Sequence, residues 1–118
     1  MEAGAPRPGR PVRGSESGRP VMAALDLLGR RWTMRILWEL NQAPSGFREL
    51  QRRCERMSSS VLSTRIEELS AARLLASEGD GYRLTPLGRD LVEALSPLTA
   101  WSRRWAEEME PTMPGELE

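Results

Sequence analysis

One hairpin signal stands among helical patterns in this sequence, and it constrains the fold more than any other feature. Residues 74–77 are predicted to form a strand, Gly79-Asp80-Gly81 a tight turn, and residues 82–85 the antiparallel partner. The segments on either side instead repeat apolar residues at helical spacing. The sequence therefore predicts a mainly α protein with a small β-hairpin.

Four helices are predicted before the hairpin. The first runs from Val21 to Gly29, and the second begins near Trp32. The third is a helix of about two turns, marked by Phe47, Leu50 and Cys54. The fourth covers about residues 58–72 and opens with a run of serines, which are common N-cap residues.

One more helix is predicted after the hairpin. Thr85 and Pro86 form a strong start signal, because Thr suits the N-cap and Pro suits the first helical position. Apolar residues then recur at helical spacing to about Met109. Pro97 is expected to kink or divide this helix, since proline lacks the backbone N–H that the helix interior needs.

The two ends of the chain differ in composition from its middle. Residues 1–19 are rich in Pro, Gly and Arg and are expected to be a disordered arm. Residues 20–109 are expected to form one domain, and residues 110–118 a disordered acidic tail. With no apolar run long enough for a signal peptide or a membrane span, the expected location is the cytoplasm.

The residue types missing from the sequence argue against an enzyme. There is no His, and Cys54 is the only cysteine, so the usual zinc ligand sets and nucleophile–histidine pairs cannot be assembled. All 17 basic residues are Arg, which leaves no Lys to form a Schiff base. A glycosidase-like pair of carboxylates stays formally possible. We expect no catalytic residue, no metal site and no cofactor.

The net charge of zero conceals a segregation of charge along the chain. Residues 30–73 hold nine Arg and five Glu, a balance of +4, whereas residues 74–118 hold four Arg and nine acidic residues, a balance of −5. A basic middle beside an acidic end is typical of a DNA-reading module joined to an element that does not face DNA. Ordinary solvated helix faces are the alternative interpretation.

The order of the elements is that of the winged helix-turn-helix fold. In this fold the helix at about 58–72 is the recognition helix, which enters the major groove, and the hairpin at about 74–85 is the wing beside it. Small hydroxyl side chains at the front of the recognition helix are predicted to contact DNA: Ser58, Ser59, Ser60, Ser63 and Thr64. The predicted phosphate contacts are Arg48, Arg53, Arg65 and Arg83. Taken singly, serines at a helix start are more often caps than DNA contacts.

Several motifs, in their order and spacing, resemble the HxlR family. They are the segments 20–21, 25–32, 36–40, 47–50, 58–63, 65–69 and 84–89. The resemblance covers about residues 20–109 and implies a dimeric winged-helix transcriptional regulator of bacteria.

Two departures from the family pattern bear on function. Some members sense electrophiles or oxidants with a Cys before the Pro of the first helix, and Arg19 stands at that position here. Thiol sensing is therefore not expected, and Cys54 is predicted to be a small core residue. The wing turn is also short, so its contact with a minor groove is expected to be limited to Arg83 and the backbone near Gly81.

The terminal helices are predicted to form a dimer interface. Trp101 and Trp105 stand at i and i+4 on one face of a helix that has no neighbour left to cover it in a chain of this size. The predicted interface residues are Leu25, Leu98, Trp101 and Trp105. A sharper alternative is a pocket for a small, flat aromatic effector at the interface, lined by Trp38 or Trp105.

The leading prediction of function is a sequence-specific, homodimeric regulator that binds double-stranded DNA. A winged-helix protein–protein adaptor that has lost DNA binding is the alternative, suggested by the zero net charge and the acidic last segment. Steep loss of affinity with salt is expected of the DNA-binding regulator, whereas an adaptor would have no DNA affinity at all.

Overall fold

A computed structural model describes residues 5–13 and 15–110 of the chain. The helices are α1 (Pro20–Leu28), α2 (Thr33–Gln42), α3 (Phe47–Arg53), α4 (Ser59–Ala71), α5 (Pro86–Leu95) and α6 (Pro97–Met109). The strands are β1 (Ser45–Gly46), β2 (Leu75–Glu78) and β3 (Gly81–Leu84). The predicted mainly α fold with a wing is confirmed.

The sheet has three strands, so the predicted two-stranded hairpin was incomplete. The strand order is β1-β3-β2, and both pairings are antiparallel. The two-residue strand β1 pairs Ser45 with Tyr82 and Gly46 with Gly81. A Cβ atom at Gly81 would lie 2.7 Å from the Ser45 carbonyl oxygen, so a glycine there is what lets the strands approach. A strand this short has no alternating pattern that sequence analysis could detect.

One helix start and one helix break are as predicted. The Thr85 hydroxyl accepts a hydrogen bond from the Gly88 N–H at the start of α5, and Pro86 follows it. The break falls at Ser96, because α5 ends at Leu95 and α6 begins with Pro97. Trp32 lies just outside α2 as its N-cap, in the left-handed region with φ of 77°, and does not begin the helix itself.

The core joins α2, α3 and α4 to the sheet and α5. Its most deeply buried side chains are Ile36, Leu37, Leu50, Cys54, Leu62 and Leu69. The prediction that Cys54 is a core residue is confirmed. The outer faces of α3 and α4 are left to solvent, which is where the candidate site lies.

Part of the N-terminal arm is described, and it folds back on itself before α1. The Gly9 N–H donates to the Gly18 carbonyl at 2.8 Å, and Val12 pairs with Ser15. Pro6 is buried. The predicted disorder of residues 1–19 stays a prediction, with residues 1–4 and 14 outside the described residues. The tail at 110–118 is also predicted to be disordered, and its residues 111–118 lie outside the described residues.

Candidate nucleic-acid interface

A tight turn connects α3 to α4. After Cys54 the chain places Glu55 and Arg56 in succession in the left-handed region, with φ of 58° and 61°. This conformation is unfavourable for residues that carry a Cβ atom, so the turn depends on contacts from its surroundings. The Arg56 N–H donates to the Gln51 carbonyl at 2.8 Å and closes the turn.

Arg35 on α2 holds this turn from below. Its guanidinium donates to the Glu39 carboxylate at 2.8 Å, to the Glu55 carboxylate at 3.0 Å and to the Arg53 carbonyl at 2.7 Å. The hydrogen bonds with Glu39 and Glu55 raise the pKa of Arg35 above its ordinary, already high value. The guanidinium of Arg35 is therefore bound to partners within the chain, and these contacts support the position of α4.

The front of α4 presents small hydroxyl side chains to solvent. Ser59, Ser60 and Ser63 are exposed, and Thr64 is half-buried. Ser58 is the N-cap, since its hydroxyl accepts from the Val61 N–H at 3.2 Å. Nothing larger than a hydroxyl stands on the first exposed turn, so the backbone of α4 can approach another surface closely.

A basic cleft lies between α3 and the start of α4. It has a volume of about 550 Å³ and is lined by Phe47, Arg48, Gln51, Arg52, Arg56 and Ser59. Gln51 spans it, because its side-chain amide donates to the Met57 carbonyl and to the Ser59 hydroxyl. The cleft brings three guanidinium groups beside the hydroxyl-bearing front of α4.

The three arginines of this cleft differ in whether their guanidinium groups already have partners within the protein. Arg48 and Arg56 are exposed and form no side-chain hydrogen bond or ion pair with another residue in the described ranges. Arg52 forms an ion pair with Glu49. Arg52 and Arg56 were not among the predicted phosphate contacts, although the i, i+4 spacing of Arg48 and Arg52 on α3 could have indicated the first of them.

Arg53, a predicted phosphate contact, turns toward the protein instead. Its guanidinium donates to the Ser45 hydroxyl at 2.9 Å and to the Glu39 carbonyl at 3.3 Å, and it lies 3.4 Å from a Glu49 carboxylate oxygen. These contacts tie α3 to α2 and β1.

Arg65 and Arg83 also have partners within the chain. Arg65 donates to the Arg31 carbonyl at 2.7 Å and to the Glu68 carboxylate at 3.1 Å. On the wing, Arg83 forms an ion pair with Glu78 at 2.5 Å. Of the four predicted phosphate contacts, Arg48 is the one that lines the cleft and has no side-chain partner among the described residues.

The predicted dimer residues lie on exposed apolar surface. Leu25, Leu98, Trp101 and Trp105 are all about half exposed, and the two tryptophan rings stack at a centroid distance of 5.4 Å. Helix α6 has no buried residue along its length. An uncovered apolar stripe on a helix is unfavourable in water, which supports the predicted interface.

One of the two tryptophans predicted to line an effector pocket lines a groove. Trp38 contributes to an apolar groove of about 200 Å³ between α2, α5 and α6, together with Met34 and Leu98. Trp105 is not among the lining residues of that groove. An aromatic effector stays a prediction.

The fold and its exposed α4 define a winged-helix transcriptional regulator of the HxlR and MarR type. The chain belongs to the family described as HxlR-like helix-turn-helix, whose model matches residues 27–110. The resemblance inferred from the motifs is thereby confirmed. Among the described residues, no helix is long and apolar enough to cross a membrane.

Two curated relatives are described as uncharacterized HTH-type transcriptional regulators. One, from Methanocaldococcus jannaschii, is 24% identical over 90 residues, which are 73% of this chain and 85% of the relative. The other, YvaP of Bacillus subtilis, is 26% identical over 91 residues, covering 71% and 84% of the two chains.

Comparison with solved structures also finds transcriptional regulators of similar fold. The quinone-bound YodB from B. subtilis aligns with a TM-score of 0.66 and 29% identity over 72% of this chain and 97% of that one. A possible HxlR family transcriptional factor from Thermoplasma volcanium aligns with a TM-score of 0.65 and 28% identity over 75% and 85%.

Proposed function

We propose that this regulator binds double-stranded DNA in a sequence-specific manner as a homodimer, with α4 in the major groove and the β2–β3 wing beside it. The observation that carries the proposal is the exposed hydroxyl face of α4 beside a cleft with three arginines. Arg48 and Arg56 have no ion pair with a described residue to break before they meet a phosphate.

The chemistry of α4 suits a base-reading helix. Its first turn has N–H groups that point along the helix axis and carry a partial positive charge, which favours a nearby phosphate. Ser60 and Ser63 can donate to or accept from base edges, and they are small enough to let the helix lie deep in the groove. Ser58 caps the helix and contributes mainly to its stability.

Phosphate contacts are proposed in two groups. Arg48 and Arg56 hold phosphates directly, and Arg52 joins them by exchanging Glu49 for a phosphate. Arg53, Arg65 and Arg83 remain proposed contacts, but each gives up or shares an intramolecular partner in order to bind DNA. Their contribution to affinity is therefore smaller than that of Arg48.

Dimerisation supplies the second recognition helix. We propose an interface of Leu25, Leu98, Trp101 and Trp105 that places the two α4 helices in successive major grooves, about 34–36 Å apart. Symmetry of the protein then predicts a palindromic operator.

Selection from a random duplex library, followed by titration against salt, tests the proposal. Arg48→Ala is expected to weaken operator and random DNA alike and to lower the salt slope by about one unit. The matched control Arg103→Ala removes the same charge from exposed α6 and leaves the slope unchanged. Ser60→Glu is expected to abolish operator binding, because its carboxylate meets phosphates.

Two outcomes contradict the proposal. Unchanged affinity of Ser60→Glu for both DNAs would place α4 away from the groove. Absence of any DNA binding at low salt would instead favour a protein–protein adaptor.

A further inference from the structure

A buried carboxylate joins two arginines beneath the recognition helix. Glu68 on α4 accepts from Arg30 at 2.6 Å through Oε2 and from Arg65 at 3.1 Å through Oε1. Its side chain is 4% exposed, and that of Arg30 is 11% exposed. Both oxygens of one carboxylate are thus held by charged donors away from bulk water, where such bonds are strong.

The network continues into α1. The Arg30 guanidinium also lies 3.5 Å from the Asp26 carboxylate, whose side chain is 7% exposed. At the other end, Arg65 donates to the Arg31 carbonyl in the segment between α1 and α2. Side chains of α4 are therefore linked by charged hydrogen bonds to the segment that follows α1 and, through Arg30, by an ion pair to α1 itself.

This network connects two elements that otherwise pack on different neighbours. Helix α1 packs mainly on α2, and α4 packs mainly on β2. Apolar contacts such as those of Leu62 and Leu69 press α4 onto the core but have little directional preference. Hydrogen bonds depend on distance and angle, so the network can fix the orientation of α4 relative to α1.

The two linked helices carry the two surfaces of the proposed function. Leu25 on α1 belongs to the proposed dimer interface, and the front of α4 reads DNA. We propose that Glu68 is a positioning residue that sets the angle between them, and thereby the separation of operator half-sites that the dimer accepts. This inference rests on the proposed function.

The test measures spacing and not affinity alone. Duplexes are built from the half-sites selected by the wild-type chain, with the separation changed one base pair at a time. Wild-type protein is expected to prefer one separation sharply. Glu68→Gln keeps the side-chain shape but removes the charge. It is expected to keep the base preference within each half-site and to reduce the affinity ratio between best and neighbouring separations by roughly two- to thirtyfold.

Two further variants keep the test decisive. Glu93→Gln makes the same change on exposed α5, outside the proposed DNA-reading face, and is expected to retain the wild-type spacing profile. Asp26→Asn removes the ion pair at the α1 end of the network. It is expected to broaden the spacing profile as Glu68→Gln does. If circular dichroism shows that Glu68→Gln does not fold, Asp26→Asn decides the question.

The outcomes separate this inference from the function beneath it. Spacing profiles that match wild type in folded Glu68→Gln or, failing that, in Asp26→Asn overturn the positioning role and leave DNA binding intact. An equal broadening in Glu93→Gln overturns it as well, since any lost negative charge would then suffice. Enrichment of no sequence by the wild-type chain overturns the proposed function and this inference with it.

Discussion

Helices α4 and α6 have the same length and opposite relations to the core. Each has 13 residues, but α4 buries Leu62, Ile66, Glu68 and Leu69, whereas α6 buries none. The exposed face of α4 is polar, and the exposed face of α6 carries two tryptophans. Helix α4 is complete within one chain, but α6 leaves apolar area that only another surface can cover.

This difference separates two kinds of sequence constraint. Residues on the inner face of α4 are constrained by the stability of the monomer, while its outer face is free to match a partner. The apolar stripe of α6 is about half exposed in the described fold. The proposed assembly would account for this exposed apolar area, which is why changes in the two helices are expected to fail in different assays.

The largest expected effect is loss of a core contact in α4. Leu62→Ala is expected to lower the free energy of unfolding by about 2–5 kcal/mol, because Leu62 is fully buried. The same change at Leu98, which is 46% exposed, is expected to cost less than about 1 kcal/mol in the monomer. Urea unfolding at low protein concentration compares the two. Equal losses would show that α6 is as much a part of the monomer core as α4.

The next largest effect is expected from substitutions that disrupt the proposed interface. Trp101→Asp together with Leu98→Asp is expected to raise the dimer dissociation constant by at least about thirtyfold, the size of a hot-spot loss of about 2 kcal/mol. Ala100→Asp is the control, since Ala100 is exposed on the other side of α6. Sedimentation at tens of micromolar measures both. A wild-type monomer at that concentration, or a dimer that the double variant leaves intact, contradicts the assignment of α6.

A smaller effect of opposite sign is expected at the end of α4. Arg73 follows the helix with φ of 65°, and the bonds Arg73 N–H to Ser70 and Leu74 N–H to Leu69 form a Schellman motif. Glycine suits this position better, so Arg73→Gly is expected to stabilise the protein by about 1 kcal/mol. Ala72→Gly, one residue earlier with φ of −80°, is expected to destabilise it by about 0.5–1 kcal/mol. Thermal unfolding distinguishes the signs, and the same sign for both would contradict the motif.

Thiol-reactive compounds are expected to have no effect on DNA binding. Burial raises the pKa of the Cys54 thiol, so the reactive thiolate is scarce as well as covered. Diamide or a quinone is expected to leave DNA binding unchanged, measured by titration of the operator before and after treatment. The prediction fails if treatment changes binding and Cys54→Ser, otherwise normal, abolishes that change.

Local patterns in the sequence determined most of the fold. The Thr85-Pro86 start and the break at Pro97 depend on capping and on the missing proline N–H, which involve neighbours a few residues away. The periodic apolar residues determined the helices and the burial of Cys54. The exposed hydroxyls of α4 and the stripe of α6 followed from the same periodicity.

The tertiary structure decided which charged residues are available to a partner. Arg53 and Arg65 are of the residue type that contacts phosphates, but their carbonyl and hydroxyl partners on other elements lie up to 34 residues away. Arg30 and Glu68 meet across 38 residues, and strand β1 exists only because Gly81 admits it. Helical spacing states which face a side chain occupies. Whether that side chain meets solvent or a buried carboxylate depends on the packing of distant elements, which no local pattern contains.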